Sequence, residues 1–273
     1  MAKAANYIKR IEILSLWSGR HHIVWSLKPD VNILSGVNGV GKSTILNKLV
    51  QSLKQPGELP GSAVPGVSVE FSPADATFIR FDVVRSVDRP LIHGDLLDKL
   101  SDGHVATELD FQLYQLQRRY LDYQVNMANR MIEMLTSTDP EVREQAASLA
   151  DAKTRFQDAV DALFSDTGKK IDRKSNEIRF LQFDEVLSPY LLSSGEKQIL
   201  VILLTVLAED GQPYVLFMDE PEVSLHVEWQ QKLIRLIRSL NPRVQIILTT
   251  HSPAVIMDGW LDAVTEVSDI TQP

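Results

Sequence analysis

The 273-residue chain contains no cysteine. That excludes a disulfide framework and a zinc–thiolate centre. Long apolar runs are also missing. The longest, Ile199–Ala208, falls well short of the ~20 residues that span a bilayer. Met1–Arg10 carries basic residues but no apolar stretch before a cleavage site, so no signal peptide is expected. Positive charge is scarce: 28 Lys and Arg stand against 36 Asp and Glu, a formal net charge of −8. This argues against a broadly basic nucleic-acid surface, though a local groove formed on dimerisation stays open. There is no internal repeat and no low-complexity tail. These absences point to a cytoplasmic protein without a membrane role of its own. What is present is a hydrophobic content of 44%, enough for a real core, in a length that fits one large domain or a domain with an insertion.

The first part of the chain reads as strands and one helix. Arg10–Trp17 and His21–Leu27 predict a hairpin around Ser18-Gly19-Arg20. Val31–Ser35 is a short β-branched run ending at Gly36, and a helix is predicted from Ser43 to before Pro56-Gly57. Leu59–Gly66 reads as a loop, and Val67–Phe71 and Thr77–Val84 as strands. The middle changes period. Leu109, Leu113, Leu116, Tyr120, Tyr123, Met127 and Met134 follow a 4-3-4-3 spacing, and Val142, Ala146, Leu149, Phe156, Val160 and Leu163 do the same, with Lys153 interrupting. Thr138-Asp139-Pro140-Glu141 between them combines cap, early proline and capping-box signals. Two antiparallel helices joined by a tight turn are predicted, each of about 25 residues and so roughly 40 Å long. They read equally as an ordinary helical subdomain, or as a projecting arm or partner platform. Beyond Lys169 the α/β pattern returns: strand Ile178–Phe183, a helix Glu196–Ala208 apolar nearly all round and therefore buried, strand Tyr214–Met218, a one-sided helix with Val227, Leu233, Ile234, Ile237 and Leu240, and strand Val244–Thr250. Such alternation calls for a mainly parallel sheet covered by helices.

Four clusters carry chemistry. Gly36–Thr44 fits the phosphate-binding loop G-x-x-x-x-G-K-[ST], with a strand before it and a helix after it. Its glycines let the backbone curl so that N–H groups face the phosphates, and the helix adds the positive end of its dipole. Lys42 is expected to reach the β- and γ-phosphates, and Ser43 to place its hydroxyl on Mg²⁺. Asp219 and Glu220 end an apolar strand; Asp219 is expected to hold Mg²⁺, and Glu220 to polarise the attacking water as general base. Ser193-Ser194-Gly195-Glu196 opens the buried helix. Ser193 and Glu196 have capping-box spacing, so a plain helix cap is the simpler reading, but such a turn also binds phosphate. His251 ends a strand at the sheet edge where parallel sheets place ligands, which suits a γ-phosphate contact.

Together these residues resemble the ATP-binding-cassette superfamily. Gly36–Thr44, with Gly36, Asn38, Gly39, Gly41, Lys42, Ser43 and Thr44 as nucleotide contacts, is similar to its Walker A motif. Leu192–Gln198 resembles the signature motif, Val215–Glu220 the Walker B motif, and His251 the switch histidine. Ser224-Leu225-His226 falls where the D-loop lies. The likeness covers roughly residues 8–95 and 175–258. It implies an α/β P-loop ATPase fold with an N-terminal antiparallel β portion, as a single domain over 1–273 with a helical-hairpin insertion over 95–168. It also implies ATP and Mg²⁺ as ligands, and a head-to-tail homodimer in which Walker A of one subunit faces Ser193 and Gly195 of the other.

Within the superfamily the chain resembles the SMC, RecF and OLD-like branch rather than the transporters. Its signature reads Leu-Ser-Ser-Gly-Glu-Lys-Gln where transporters usually have Leu-Ser-Gly-Gly-Gln, and Asp219–His226 is similar to the RecF- and OLD-like stretch. There is no glutamine between Gln55 and Gln112 for the usual glutamine loop, so Ser86 or Asp88 would have to replace it. The nearest likeness is to stand-alone ATPases of anti-phage systems of the Septu and retron-associated type. The expected function is an ATPase that gates a separately encoded effector such as a nuclease, since too little chain follows His251 for a nuclease fold. The alternatives are a RecF-like DNA-binding repair clamp, for which Lys169, Lys170, Arg173, Lys174 and Arg179 are the candidate basic stripe or else a solvated connection, and the ATP subunit of a transporter. Trp17 or Arg20 is the candidate for adenine stacking.

Overall fold

A computed structural model describes residues 2–16, 21–54, 66–86, 90–91 and 105–272. They form two compact units: Met1–Ser86 with Gln212–Ile234 and Arg243–Pro273, and Val87–Gly211 with Arg235–Pro242.

The first unit holds two sheets. In the antiparallel one, β1 (Tyr7–Leu16) lies between β2 (His21–Ser26) and β4 (Val67–Ser72), and the C-terminal β12 (Thr271–Gln272) pairs with β2. Residues 17–20, with the adenine-stacking candidates Trp17 and Arg20, lie outside the described residues, as do 59–65 of the expected loop. The second sheet is wholly parallel, in the order β11 (Val264–Glu266), β3 (Val31–Ser35), β10 (Val244–Thr249), β9 (Tyr214–Asp219), β5 (Phe81–Arg85). Strands β9 and β10 are buried along nearly their whole length, as strands covered on both faces must be. Ile8, Ile11, Ile13, Ile23 and Trp25 from the antiparallel sheet share one core with Leu34, Val215, Phe217 and Ile247 from the parallel sheet. Helix α1 (Lys42–Leu53) adds Ile45, Leu46 and Leu49 to that core, which fixes where its first turn stands.

One polar side chain joins the two sheets. Gln245 is fully buried on β10. Its Oε1 accepts the Ile8 N–H at 2.8 Å, and its Nε2 donates to the Ile8 carbonyl at 2.8 Å and the Lys28 carbonyl at 2.7 Å. Every hydrogen-bonding position used there is buried or half-buried, so leaving those backbone groups unmatched costs ~1–3 kcal/mol each.

In the second unit, α2 (Glu108–Leu135) begins at a capping box between Thr107 and Asp110. At 28 residues it is about 42 Å long. It buries Leu109, Leu113, Leu116, Tyr120 and Tyr123, whereas Met127 and Met134 are only half-buried. The returning arm is not one helix. It runs as α3 (Pro140–Gln145), a 3-10 stretch (Ala146–Ala150) and α4 (Asp151–Leu163). The tightened stretch keeps Ala146 fully buried against α2, where a small side chain lets the backbone come close. The arms are antiparallel: Lys153 donates to Gln124 Oε1 at 2.7 Å, and the Phe156 and Tyr120 rings lie 6.5 Å apart. The Lys153 ammonium also stands 5.8 Å from the Tyr120 ring centre, which explains how a lysine interrupts the apolar stripe without breaking it. Helix α5 (Ser194–Ala208) packs on both α2 and α4 and is buried from Glu196 to Leu207.

Two strand predictions need correction. The strand expected from Thr77 starts at Phe81. Residues 77–80 are held elsewhere: the Phe78 carbonyl accepts Ala5 N–H at 2.7 Å, and Phe78 bridges Ala4 in parallel. The strand expected over Ile178–Phe183 is β7 (Phe180–Gln182), followed by a turn at Phe183 and Asp184, both with positive φ (50° and 65°), and then β8 (Glu185–Leu187). Two left-handed residues suit a tight hairpin, but Phe-Asp lacks the Asn-Gly signature that would announce one.

Gln245→Leu is expected to lower unfolding free energy by about 3 kcal/mol, because it strands three backbone groups while keeping the volume. Urea denaturation measures it; a loss under about 0.5 kcal/mol would remove Gln245 from this joining role.

Candidate functional site

Because all five strands run the same way, their C-terminal ends fall on one edge. The register there places Arg85, Asp219, Thr249, Leu34 and Thr265 in a single row across the sheet. The loop Gly36–Gly41 leaves β3 one residue past that row, Glu220 leaves β9, and His251 leaves β10. The parallel topology therefore brings Gly36–Thr44, Asp219-Glu220 and His251 together although they are far apart in sequence. A cleft of about 800 Å³ opens at this edge, lined by Asn38, Gly39, Gly41, Lys42, Ser43, Thr44, Glu220 and His251.

The loop depends on its glycines. Gly39 and Gly41 have φ of 80° and 101°, a region that side chains disfavour. At Gly36, a Cβ would lie 2.9 Å from Val40 Cγ1. Lys42 is buried and curls back to donate to the Gly36 carbonyl at 3.0 Å and the Val37 carbonyl at 3.2 Å. Its ammonium thus sits inside the loop.

The carboxylates are held differently. Asp219 Oδ1 accepts the Ser43 hydroxyl at 2.9 Å and the Thr249 hydroxyl at 2.5 Å. The Asp219 carbonyl accepts the Ser86 hydroxyl at 2.7 Å. Ser86 therefore meets the end of the Walker B strand; Asp88 lies outside the described residues. Glu220 has a left-handed backbone (φ 48°), which costs about 1–2 kcal/mol for a residue with a side chain. The cost is met by its N–H, which donates to the Thr249 carbonyl and hydroxyl, each at 3.1 Å. The turn leaves Glu220 half-exposed at the cleft, with Oε1 3.4 Å from His251 Nε2.

Sequence reasoning gave no role to four residues here. Thr249 reads as one more β-branched strand residue. Glu222 reads as part of an acidic turn. Gln230 lies on a helix face with no motif. Ser252 could have been found, because Ser-Pro is an N-cap followed by proline at the first helical position. It caps α7 (Pro253–Met257), its hydroxyl accepting from the Ala254 N–H.

In the second unit, Ser193 is the N-cap of α5. Glu196 accepts the Ser193 N–H at 2.9 Å and its hydroxyl at 3.0 Å, and the Glu196 N–H donates to the Ser193 hydroxyl at 3.3 Å. The capping box read from the sequence is therefore present. Ser193 and Ser194 remain exposed and Gly195 half-exposed. Lys169 grips Glu196 at 2.7 and 2.9 Å, and Lys197 pairs with buried Asp110 at 2.7 Å. Burial works against the Glu196 charge, but the hydrogen bonds from Lys169 and from the Ser193 N–H and hydroxyl hold its carboxyl below the usual range. Three of the five cations in the candidate basic stripe are thereby committed: Lys169 to Glu196, Arg173 to Asp158 and Asp161, and Arg179 to Glu177.

Residues 109–258, more than half of the chain, match the family described as "AAA domain, putative AbiEii toxin, Type IV TA system". The chain belongs to this family. A 78-residue segment is 38% identical to "Septu protein PtuA" of Bacillus thuringiensis, covering 24% of this chain and 20% of that protein. A 114-residue segment is 30% identical to "Retron Vc95 probable ATPase" of Vibrio cholerae, covering 37% of this chain and 22% of that protein. The chain thus aligns with only about a fifth of the length of these relatives. Among solved structures, an SMC head bound to the C-terminal winged-helix domain of ScpA superposes with a TM-score of 0.54 at 14% identity, over 92% of this chain and 91% of that one. The fold is that of an SMC-head-like P-loop ATPase, with a parallel sheet and several helices. Among the described residues, no helix is long and apolar enough to cross a membrane.

The lowered Glu196 carboxyl stabilises the fold above the ordinary carboxylate range, and that stability is lost as pH falls through it. Glu196→Gln should therefore be less stable than the parent protein at pH 7, and the two should converge in acid. Urea unfolding across pH checks this; parallel curves would deny Glu196 the role.

Proposed function

We propose that the chain binds and hydrolyses ATP with Mg²⁺ at the edge of the parallel sheet, as one half of a head-to-tail homodimer. The observation that carries this reading is the meeting of the phosphate loop, Glu220 and His251 around one cleft, with Asp219 hydrogen-bonded to the lining Ser43. The residues fit the ligands. Inward-curled glycines and a buried ammonium suit a triphosphate. A serine hydroxyl and a carboxylate in contact suit a hard divalent ion.

Each residue then has a part. Lys42 exchanges its two carbonyl contacts for phosphate oxygens, while Asn38, Gly39, Gly41 and Thr44 shape the cradle. Ser43 and Asp219 would hold Mg²⁺, which neutralises charge on the phosphates when bound. Glu220 takes a proton from the attacking water, and His251 contacts the γ-phosphate from the neighbouring strand. Ser193 and Gly195, exposed at the start of α5, meet the nucleotide of the second subunit. A C2 pair is the simplest assembly that gives both sites the same surroundings.

Biologically, we place the protein in the cytoplasm as a defence ATPase of the Septu and retron-associated type, coupling its ATP cycle to a separate effector such as a nuclease. The relatives' names support the class. The ion-paired state of Lys169, Arg173 and Arg179 weighs against a RecF-like clamp. The expected insertion over 95–168, of which 95–104 lie outside the described residues, carries the two antiparallel helical arms.

Glu220→Gln should bind ATP as the parent does but hydrolyse it at least ~100-fold more slowly. Lys42→Ala should lose binding. Single-turnover hydrolysis with labelled ATP, beside equilibrium binding, tests both; near-normal turnover in Glu220→Gln removes it as the base, and intact affinity in Lys42→Ala removes the phosphate-loop assignment.

A further inference from the structure

Glu222 lies two residues past Glu220, inside the Asp219–His226 stretch but with no role read from the sequence, yet its side chain is heavily engaged. Its Oε1 accepts three hydrogen bonds from the segment that carries the switch histidine: the Thr250 hydroxyl at 2.6 Å, the His251 N–H at 2.9 Å and the Ser252 N–H at 3.3 Å. Its own carbonyl accepts the Leu225 N–H at 2.9 Å and the Gln230 side-chain amide at 3.3 Å. Gln230 in turn donates to the Leu225 carbonyl at 2.8 Å and accepts the Ser252 hydroxyl at 2.6 Å. Glu222 therefore ties the turn after Walker B to the loop after β10 at the residue whose imidazole faces Glu220.

The chemistry of the contact is selective. The donors are two consecutive backbone N–H groups and a hydroxyl, all converging on one oxygen, an arrangement that suits an anion. Glu222 Oε2 is buried with no hydrogen-bond partner among the described residues, and no described cation pairs with the carboxylate. The charge is thus held by the His251 loop alone. Among the described residues, the hydrogen bonds of the Glu222 side chain all come from that loop.

We infer that Glu222 is a positioning residue for His251: it fixes the backbone of Thr250–Ser252 so that the imidazole stands at the cleft beside Glu220, and it carries the setting of His251 to the D-loop segment through Gln230. Glu222 does not touch substrate. Its effect on turnover passes through His251, and its effect on nucleotide affinity is small, because the phosphate loop rests on other contacts. This inference rests on the γ-phosphate reading of His251.

The test is a double-mutant cycle of Glu222→Ala with His251→Ala, reading kcat and ATP affinity for each variant. Glu222→Ala should lower kcat about tenfold, the scale of a misplaced catalytic group, with ATP affinity held within about twofold. In the His251→Ala background it should cost nothing further. Equal losses in both backgrounds would overturn the inference, since Glu222 would then act only through general stability; so would an unchanged kcat. If His251→Ala alone leaves kcat unchanged, the γ-phosphate reading fails instead, a separate result. Should Glu222→Ala not fold, Thr250→Val deletes one of the three donors and should show the same non-additivity at smaller size, while Glu222→Gln, which keeps the accepting oxygen, should retain most of the turnover.

Discussion

One carboxylate oxygen, Asp219 Oδ1, joins three parts of the first unit. It takes the hydroxyl of Ser43 from the start of α1 and that of Thr249 from the end of β10, while its own residue ends β9. The three residues lie far apart in sequence, so nothing local could hold them to hydrogen-bond distance. The parallel sheet does, by aligning Asp219 with Thr249 in register and packing α1 onto the same core. Without that alignment the phosphate loop would be a flexible glycine turn and Glu220 an acidic residue at a strand end. With it, Glu220 is pinned in a left-handed turn by two bonds to Thr249 and faces His251.

The second unit solves another problem. A helix as apolar as Ser194–Ala208 must be buried, yet the proposed function needs its first residues exposed to meet a nucleotide. The capping box and the ion pairs Lys169–Glu196 and Lys197–Asp110 fix the first turn from inside and leave Ser193 and Ser194 open. At the other end, Arg119 pairs with Glu209 at 2.6 Å and Arg130 with Asp210 at 2.6 Å. All of these ion pairs except Lys169–Glu196 come from α2, so the helical arm and the signature helix are joined along their length.

How much was legible in the sequence follows from how local each signal is. Gly36–Thr44, Ser193–Glu196 and Asp219-Glu220 place their chemistry in consecutive residues, so a linear reading found them. The long helix α2 and the antiparallel arm that returns beside it announced themselves by spacing, though the returning arm is broken. Thr249 and Glu222 were hidden, because their meaning depends on a neighbouring strand rather than on their own segment. Gln245 was hidden too: a glutamine in an apolar strand gives no sign that its amide spans two sheets. The hairpin turn at Phe183-Asp184 went unseen because Phe-Asp lacks a turn signature, and the break at Ala146–Ala150 because close packing of Ala146 against α2 decides it. The glutamine-loop replacement was narrowed to Ser86 or Asp88 by elimination, and contact with the Asp219 carbonyl gives Ser86 a physical tie to the site.

The central claim is that one chain's phosphate loop works with another chain's signature turn. Complementation tests it most directly. Lys42→Ala and Ser193→Arg chains, each inactive alone, are mixed in equal amounts and their ATPase rate is measured. In a head-to-tail pair, half the dimers are mixed and each of those holds one intact composite site, so turnover should recover to about a quarter of the parent rate. A mixture no faster than either variant alone would contradict a shared site.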